Sequence, residues 1–305
     1  MSQEELPGAT NQRLGYLLVF GAALLWGMIG VFSRRLLEAG VPALEIAFWR
    51  AALAGAAFAL HAAFSRRLRL KRRSDAAAFL GFALVGVTLF YSALSLAIEA
   101  GGISLAFVLL YTAPAFVAVL AALLLGERLT PFKSLLVLLS LAGIVMVARS
   151  GGTGMTISFT SLAWGLTAGL SYASYYLFGK WVLKRYGPVT IYAYVMPLGA
   201  LGLLPFVGFA AVKGATMAIW LDLALISLFS TYVAYRLYYT GLRQVEASRA
   251  VLVATIEPVV AAVLAAMIFG ERLGSWGIVG GVMILAGAAL ASLPRRAANA
   301  TQGGP

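Results

Sequence analysis

The feature that most constrains this chain is a sixteen-residue stretch that occurs twice, 144 residues apart. The first copy, residues 114–129, reads PAFVAVLAALLLGERL, and the second, residues 258–273, reads PVVAAVLAAMIFGERL. Ten of the sixteen positions are identical without a gap. Each copy is an apolar segment that begins at a proline and ends in a charged Gly-Glu-Arg-Leu corner. A repeat of this kind indicates a chain built from two related halves.

The composition is that of a membrane protein. Hydrophobic residues make up 62% of the chain and charged residues 11%, whereas about a quarter of the residues in a soluble domain are charged. Apolar runs of about 20 residues, the length that crosses a bilayer, alternate with short loops. In lipid such runs must be helices, because every backbone amide has to be satisfied internally. We predict an all-α integral membrane protein with ten spanning helices, at residues 14–33, 44–64, 77–98, 103–125, 132–148, 161–183, 190–212, 220–242, 250–269 and 275–293.

The net charge of +12 fits membrane topology better than nucleic-acid binding, because Lys and Arg collect in cytoplasmic loops. If the N-terminus is cytoplasmic, sixteen Lys and Arg side chains lie on the inside and five on the outside. We therefore expect cytoplasmic tails at residues 1–13 and 294–305. The first of these tails is polar, and no A-x-A-like cleavage site follows the first apolar run, so we read a tail and not a signal peptide.

The predicted helices turn the repeat into an inverted one. Each copy falls in the fourth helix of a set of five, and because five is odd, the halves at residues 14–150 and 151–293 enter the membrane in opposite directions. Inverted repeats are common in secondary transporters, with the substrate path between the halves. The correspondence extends beyond the repeat, since an offset of 144 relates Tyr91 to Tyr235 and an offset of 146 relates Trp26 to Tyr172.

These features resemble the EamA-type carriers of the drug/metabolite transporter superfamily. The resemblance rests on the doubled Pro…Gly-Glu-Arg-Leu helix, on Leu25, Trp26 and Gly27 in the first helix, and on Trp49 and Arg50 in the second. Within that family the chain is most similar to the YddG-type exporters of aromatic and other neutral amino acids. In the second half, Val195 and Met196 stand where the first half has Trp49 and Arg50, so any role of Arg50 is not duplicated.

The resemblance implies a basket-like bundle with a central cavity and alternating access from the two sides. The prolines of the repeat, Pro114 and Pro258, then predict a pair of helix bends at equivalent positions, suited to gates. Proline is also common in membrane helices that have no gating role.

Aromatic side chains are the strongest indication of a binding cavity. Tyr172, Tyr175 and Tyr176, at i, i+3 and i+4, share one face of the sixth predicted helix. Tyr232, Tyr235 and Tyr239 lie at i, i+3 and i+7 on the eighth. An aromatic belt at the bilayer surface explains Tyr16, Tyr186 and Tyr238, but it does not explain aromatic residues well inside a span. The predicted lining residues are Trp26, Tyr91, Tyr172, Tyr176 and Tyr235.

Ionisable residues inside spans are costly and usually functional. Arg236, next to Tyr235, is a candidate for binding a carboxylate. Glu257, directly before Pro258, is a candidate for binding an ammonium group or a proton, or is a solvated carboxylate near the cytoplasmic mouth. Arg50 is read as structural or as a substrate ligand. The two Gly-Glu-Arg-Leu corners are expected to mark helix ends and to support the fold.

Catalysis and cofactor binding find little support in the sequence. The chain has no cysteine and one histidine, His61, and it lacks the G-x-x-x-x-G-K-[ST] loop of an ATPase. We therefore expect no enzyme activity, no metal and no cofactor. Gly277 and Gly281 form a G-x-x-x-G pattern that suits either internal packing or a dimer face. The sequence is therefore compatible with a monomer and with a homodimer.

The predicted function is export of aromatic or neutral amino acids, or of similar small metabolites, across a bacterial inner membrane by facilitated movement. The alternative is a proton-coupled efflux pump for organic cations or drugs, for which Glu257 is the available carboxylate. An intramembrane enzyme and a non-transporting anchor protein fit less well, since the first lacks reactive side chains and the second gives the inverted repeat no purpose.

Overall fold

The computed structural model of the chain describes residues 11–150, 156–270 and 274–293, and within them it contains helices and no strands. The second Gly-Glu-Arg-Leu corner at Glu271, Arg272 and Leu273, the C-terminal tail and most of the N-terminal tail lie outside these ranges. The helices of the first half are α1 (Gln12–Gly27), α2 (Ile29–Glu38), α3 (Ala43–Phe64), α4 (Ser74–Phe82), α5 (Phe90–Gly101), α6 (Ile103–Leu110), α7 (Ala113–Leu125) and α8 (Pro131–Ser150). The helices of the second half are α9 (Phe159–Val182), α10 (Pro188–Leu203), α11 (Met217–Ser227), α12 (Ala234–Leu242), α13 (Ala247–Ala254), α14 (Glu257–Phe269) and α15 (Ser275–Ser292).

Nine helical segments of the described ranges are long and apolar enough to cross a membrane, one fewer than the sequence predicts. The segment that falls short is α9, which has 24 residues but carries many Ser, Thr, Gly and Tyr side chains. It packs against α5, α6 and α7 and buries most of these small and polar residues. A helix surrounded by other helices needs less apolar surface than one that faces lipid, which explains its low hydropathy.

The first and seventh predicted helices end at different residues from those expected. The first continues to Glu38, with an interruption at Met28, so Arg34 and Arg35 lie in α2 and not in a loop. Arg35 is stabilised there by an ion pair of 3.2 Å with the buried Asp222. The seventh ends at Leu203 and continues as a short turn over Leu204–Phe206, because Pro205 cannot continue the helical hydrogen bonding.

The doubled proline marks a break between two helices and not a bend within one. α6 ends at Leu110 and α7 begins at Ala113, with Pro114 in its first turn; α13 ends at Ala254 and α14 begins at Glu257, with Pro258 in its first turn. A proline in the first turn loses no intrahelical hydrogen bond, since that N–H has no helical partner. The chain is therefore divided at equivalent positions, just before the two copies of the repeat.

A second irregularity also occurs twice. The span that includes α4 and α5 contains a π-helical segment at Ala83–Leu89, and the span that includes α11 and α12 contains one at Leu228–Val233. The 144-residue offset relates Leu84 to Leu228. In each segment a threonine hydroxyl donates to the carbonyl five residues earlier, from Thr88 at 3.5 Å and from Thr231 at 3.2 Å. π-Helical turns are rare and are often found at functional sites.

The first Gly-Glu-Arg-Leu corner joins the two halves. The Glu127 carboxylate accepts hydrogen bonds from the backbone N–H of Ala247 at 2.7 Å and of Ser248 at 3.2 Å, and also from the Ser248 hydroxyl. It thereby caps the N-terminus of α13, where the helix dipole favours a negative charge. Lys133 bridges Glu127 and Glu246 at 3.7 and 2.9 Å.

Another polar contact joins the halves through Asp75. Its carboxylate pairs with Arg185 at 2.8 Å and accepts a hydrogen bond of 2.7 Å from the Tyr186 hydroxyl. Burial raises the pKa of the Tyr186 phenol, so the hydroxyl stays protonated and remains a donor. Tyr186 therefore has a structural partner where the sequence indicates a residue of the aromatic belt.

Close helix packing depends on Gly143 and Gly280, where α8 and α15 touch. A Cβ atom added at Gly280 would lie 2.4 Å from the Gly143 carbonyl oxygen and 2.9 Å from the Val147 backbone nitrogen. Backbone atoms cannot move aside as a flexible side chain can. By contrast, a Cβ atom at the neighbouring Gly281 would meet nothing closer than the Val259 side chain at 3.7 Å.

We predict that Gly280→Ala destabilises the protein and that Gly281→Ala does not. Overpacking of this kind costs about 1–3 kcal/mol, whereas alanine at an uncrowded helical position is favoured over glycine. The measurement is the Tm of each purified variant in detergent. Equal Tm values for the two variants would contradict the predicted backbone contact.

Candidate functional site

Five aromatic side chains predicted to line a cavity meet in the middle of the bundle. Trp26 lies in α1, Tyr91 in α5, Tyr172 and Tyr176 in α9, and Tyr235 in α12, and each is at most 8% exposed. The Trp26 and Tyr235 ring centroids are 5.4 Å apart, and those of Tyr172 and Tyr176 are 5.6 Å apart. We call this set the central aromatic cluster.

Four further tyrosines that the sequence did not single out as lining residues complete the packing. Tyr175 stacks on Tyr235 at 5.5 Å and lies 6.0 Å from Tyr172, so it joins the two sides of the cluster. Tyr192 lies 4.7 Å from Tyr235. The other two are Tyr238, which lies 5.1 Å from Trp26, and Tyr239, which lies 4.8 Å from Tyr192.

The assignment of Tyr238 to an aromatic belt is wrong. Its side chain is fully buried between Trp26 and Tyr176. Tyr235, Tyr238 and Tyr239 lie at helical positions i, i+3 and i+4, and this spacing places all three on one face of α12. The spacing was the available signal. Tyr192, on α10, had no comparable signal.

Polar atoms in the cluster are unevenly satisfied. Tyr239 donates a hydrogen bond of 2.9 Å to the Tyr175 carbonyl oxygen. Within the described ranges, the hydroxyls of Tyr91, Tyr175, Tyr176, Tyr192 and Tyr238 and the Trp26 indole nitrogen have no hydrogen-bond partner of good geometry. The hydroxyls of Tyr91 and Tyr175 lie beside that of Tyr235, and the hydroxyl of Tyr192 lies beside that of Tyr239, so these groups form a loose polar network inside an apolar centre.

Arg50 contributes a positive charge to the cluster. Its side chain is 9% exposed, its Nε donates a hydrogen bond of 2.9 Å to the Thr231 hydroxyl, and its guanidinium carbon lies 5.1 Å from the centroid of the Tyr91 ring. Thr231 belongs to the second π-helical segment. The irregular turn and the arginine of α3 are therefore parts of one arrangement, which the sequence did not predict.

Glu257 contributes the opposite charge. It begins α14 at the break before Pro258, where a helix N-terminus stabilises a carboxylate. The hydroxyls of Tyr111 and Tyr172 lie beside its carboxylate, and Arg50 is the cation that acts on it electrostatically. The two charges make no direct ion pair with each other. Tyr111, at the C-terminal end of α6, was not predicted as a site residue.

Arg236 is not brought together with these groups. It is exposed, and its Nη1 lies 3.3 Å from the Tyr232 hydroxyl, which itself contacts His61 Nδ1 at 2.6 Å. Adjacent residues of a helix point about 100° apart, so burial of Tyr235 turns Arg236 away from the cluster. Within the part of the chain that the structure describes, no group of three His, Cys, Asp or Glu residues is arranged to hold a metal ion.

A family model for the EamA-like transporter family matches two segments of the chain, residues 13–149 and 159–293. The chain belongs to the EamA-like transporter family. It is therefore a multi-pass membrane transporter of the drug/metabolite superfamily, as the doubled helix and the Trp-Gly and Trp-Arg motifs predicted.

Relatives cover nearly the whole chain. A protein of Archaeoglobus fulgidus described as an uncharacterized transporter is 31% identical over 92% of this chain and 96% of its own length. The uncharacterized inner membrane transporter YicL of Salmonella typhimurium is 27% identical over 94% of this chain and 97% of its own length. A solved crystal structure that is 19% identical superposes with a TM-score of 0.77 over 91% of this chain and 96% of that chain, which supports the fold alone.

The hydrogen bond of Tyr239 gives a stability prediction for this transporter. Tyr239→Phe removes the donor to the Tyr175 carbonyl and is expected to lower the free energy of unfolding by about 1 kcal/mol. Tyr238→Phe, next to it and equally buried, removes a hydroxyl without such a bond and is expected to be neutral or slightly stabilising. The check is the denaturant midpoint of both variants in one detergent. A larger loss for Tyr238→Phe would contradict these hydrogen-bond assignments.

Proposed function

We propose that this transporter exports aromatic or other neutral amino acids, or similar small metabolites, by facilitated movement down their gradient. The observation that carries the proposal is the central aromatic cluster, with its rings for an apolar side chain and its hydroxyls for polar groups. Aromatic side chains contribute large apolar contact areas together with hydrogen-bonding tips. A neutral or zwitterionic solute with an apolar portion is the class of ligand that such a surface suits.

The proposed architecture is ten spans in two inverted five-helix halves around a central cavity. The two matched family segments support this division, and so do the equivalent helix breaks and the equivalent π-helical segments. In this arrangement α9 is the sixth span in chain order, completes the set of ten and corresponds to the first span, which includes α1. The halves, at residues 14–150 and 151–293, would form a basket-like bundle.

We propose a bacterial inner-membrane location with both termini in the cytoplasm. The excess of Lys and Arg in alternate loops supports this orientation. The Salmonella relative is described as an inner membrane transporter. The Glu127 cap on α13 would then lie on the cytoplasmic side.

Alternating access would use the breaks at Pro114 and Pro258 as hinges. Each break separates a fourth-span helix into two short rigid pieces, and discontinuous helices near the midplane are a recurrent feature of transporters. Motion of α7 against α6, or of α14 against α13, would part the rings that are packed together in this structure. The cavity would open to one side at a time.

A second candidate function, proton-coupled efflux of organic cations, is favoured by one observation. Glu257 is a carboxylate beside aromatic rings and hydroxyls at a helix break, where loss of its charge by protonation would change what it binds. If transport uses this proton, Glu257→Gln abolishes the dependence on a pH gradient. Unchanged pH-gradient dependence in that variant would eliminate this candidate.

The test of the main proposal is uptake of labelled phenylalanine by proteoliposomes without an ion gradient. We expect equilibration that other apolar amino acids inhibit, and a loss of roughly tenfold or more in Trp26→Ala, because removal of a buried aromatic anchor costs more than 1.4 kcal/mol of binding. Trp276→Ala is the matched control, since Trp276 is 64% exposed on α15. Movement of a lipophilic cation but not of phenylalanine would contradict amino-acid export.

A further inference from the structure

Arg50, which is buried, and Glu257, which is partly buried, differ from most other charges in the interior of this transporter. Asp75, Asp222 and Lys133 are each buried with an oppositely charged partner within 2.8–3.2 Å. Arg50 and Glu257 influence each other electrostatically yet form no ion pair, and tyrosine side chains lie around both. Because an incompletely compensated charge inside a span is costly, its retention calls for a function.

We infer that Arg50 and Glu257 are the two poles of a subsite for the zwitterionic head of an α-amino acid. In this subsite the Arg50 guanidinium binds the carboxylate, and Glu257 binds the ammonium group together with the Tyr111 and Tyr172 hydroxyls. The inference rests on the proposed function and makes it more specific. It replaces Arg236, which lies outside the cluster, with Arg50 as the anchor of the carboxylate.

The geometry of Arg50 suits this role. The hydrogen bond from Nε to Thr231 fixes the plane of the guanidinium, and the structure gives its two Nη nitrogens no hydrogen bond to the described residues. Paired N–H groups of this kind bind a carboxylate with two parallel hydrogen bonds. The Tyr91 ring beneath the guanidinium limits its movement and leaves one face for the solute.

The geometry of Glu257 suits the ammonium end. An ammonium group has three N–H donors, which need acceptors in three directions. The carboxylate and the flanking Tyr111 and Tyr172 hydroxyl oxygens supply acceptors from α14, α6 and α9. Tyrosine rings add attraction for a cation through their electron-rich faces.

The internal repeat gives independent support. The 144-residue offset pairs Glu257 with Ala113, and the 146-residue offset pairs Arg50 with Met196. Both charges therefore break the pseudo-symmetry that the fold uses for its hinges and π-helical segments. Charges that served only the architecture of the repeat would be expected in both halves, whereas an asymmetric zwitterion needs one of each sign.

A zwitterion also resolves the electrostatic problem of the site. It supplies one negative and one positive group together, so Arg50 and Glu257 each gain a partner without any net charge entering the membrane. A ligand with a single charge compensates one pole and leaves the other unpaired, which is unfavourable. The subsite therefore selects zwitterions over amines and carboxylic acids of the same shape.

The experiment compares three inhibitors of labelled phenylalanine uptake by the full chain in proteoliposomes. They are unlabelled phenylalanine, 2-phenylethylamine, which lacks the carboxylate, and 3-phenylpropionate, which lacks the ammonium group. In the wild-type protein we expect phenylalanine to inhibit at least about tenfold more strongly than either analogue. Glu257→Gln removes the advantage of phenylalanine over 3-phenylpropionate, and Arg50→Gln removes its advantage over 2-phenylethylamine.

Two further variants separate recognition from folding. Glu45→Gln is the matched control, because Glu45, like Glu257, is a glutamate in the first turn of a helix but is not part of the cluster. We expect it to keep the wild-type order of inhibitors. If Arg50→Gln does not fold, Arg50→Lys keeps the charge and loses the paired donors. It is expected to weaken phenylalanine and 3-phenylpropionate but not 2-phenylethylamine.

The outcomes separate this inference from the proposed function. If the wild-type protein takes up phenylalanine and both Glu257→Gln and Arg50→Gln keep the wild-type order of inhibitors, the subsite is overturned and amino-acid export still stands. A uniform loss for all three inhibitors would also overturn it, since it would make the two charges structural. Absence of phenylalanine uptake by the wild-type protein would overturn both.

Discussion

Two opposite charges held apart in an apolar helix bundle are the constraint on which the centre of this transporter depends. Arg50 is held by one hydrogen bond and one aromatic face, and Glu257 by a helix N-terminus and neighbouring hydroxyls. Neither is neutralised by the other. The surrounding tyrosines supply polarisable faces and hydroxyls where aliphatic side chains would leave the charges without any compensation, which explains why nine aromatic rings occupy the middle of the bundle.

The irregular backbone lies where these groups need it. The second π-helical segment provides Thr231 for Arg50, and the break before α14 provides the helix N-terminus for Glu257. On the far side of that break, α13 is fixed to the first half by the Glu127 cap. A fixed α13 and a separate α14 give a means by which movement at Glu257 is coupled to the contact between the halves.

Apolar patterning was sufficient to predict the spanning segments, because lipid leaves a spanning chain no alternative to helices. The family was predictable from the doubled helix and the Trp-Gly and Trp-Arg motifs, which occur in the sequence itself. Central positions of Trp26, Tyr91, Tyr172, Tyr176 and Tyr235 were predictable from their depth in the spans. The direction of individual side chains was not predictable. Arg236 points away from the cluster, although it was expected to bind the solute, and Tyr238 points into the cluster, although it was expected at the bilayer surface. Pro258 signalled an irregularity beside Glu257, but the π turn at Thr231 and the approach of α3 to α14 depend on tertiary packing, so no local pattern indicated that Arg50 and Glu257 would share a site.

The most direct test of this account is an experimental structure of the transporter with phenylalanine bound. The account predicts the ring of the ligand among Trp26, Tyr172 and Tyr235, its carboxylate on the Arg50 Nη nitrogens and its ammonium group on the Glu257 carboxylate. A ligand bound elsewhere in the bundle, or a direct Arg50–Glu257 ion pair with the ligand outside it, would contradict the account.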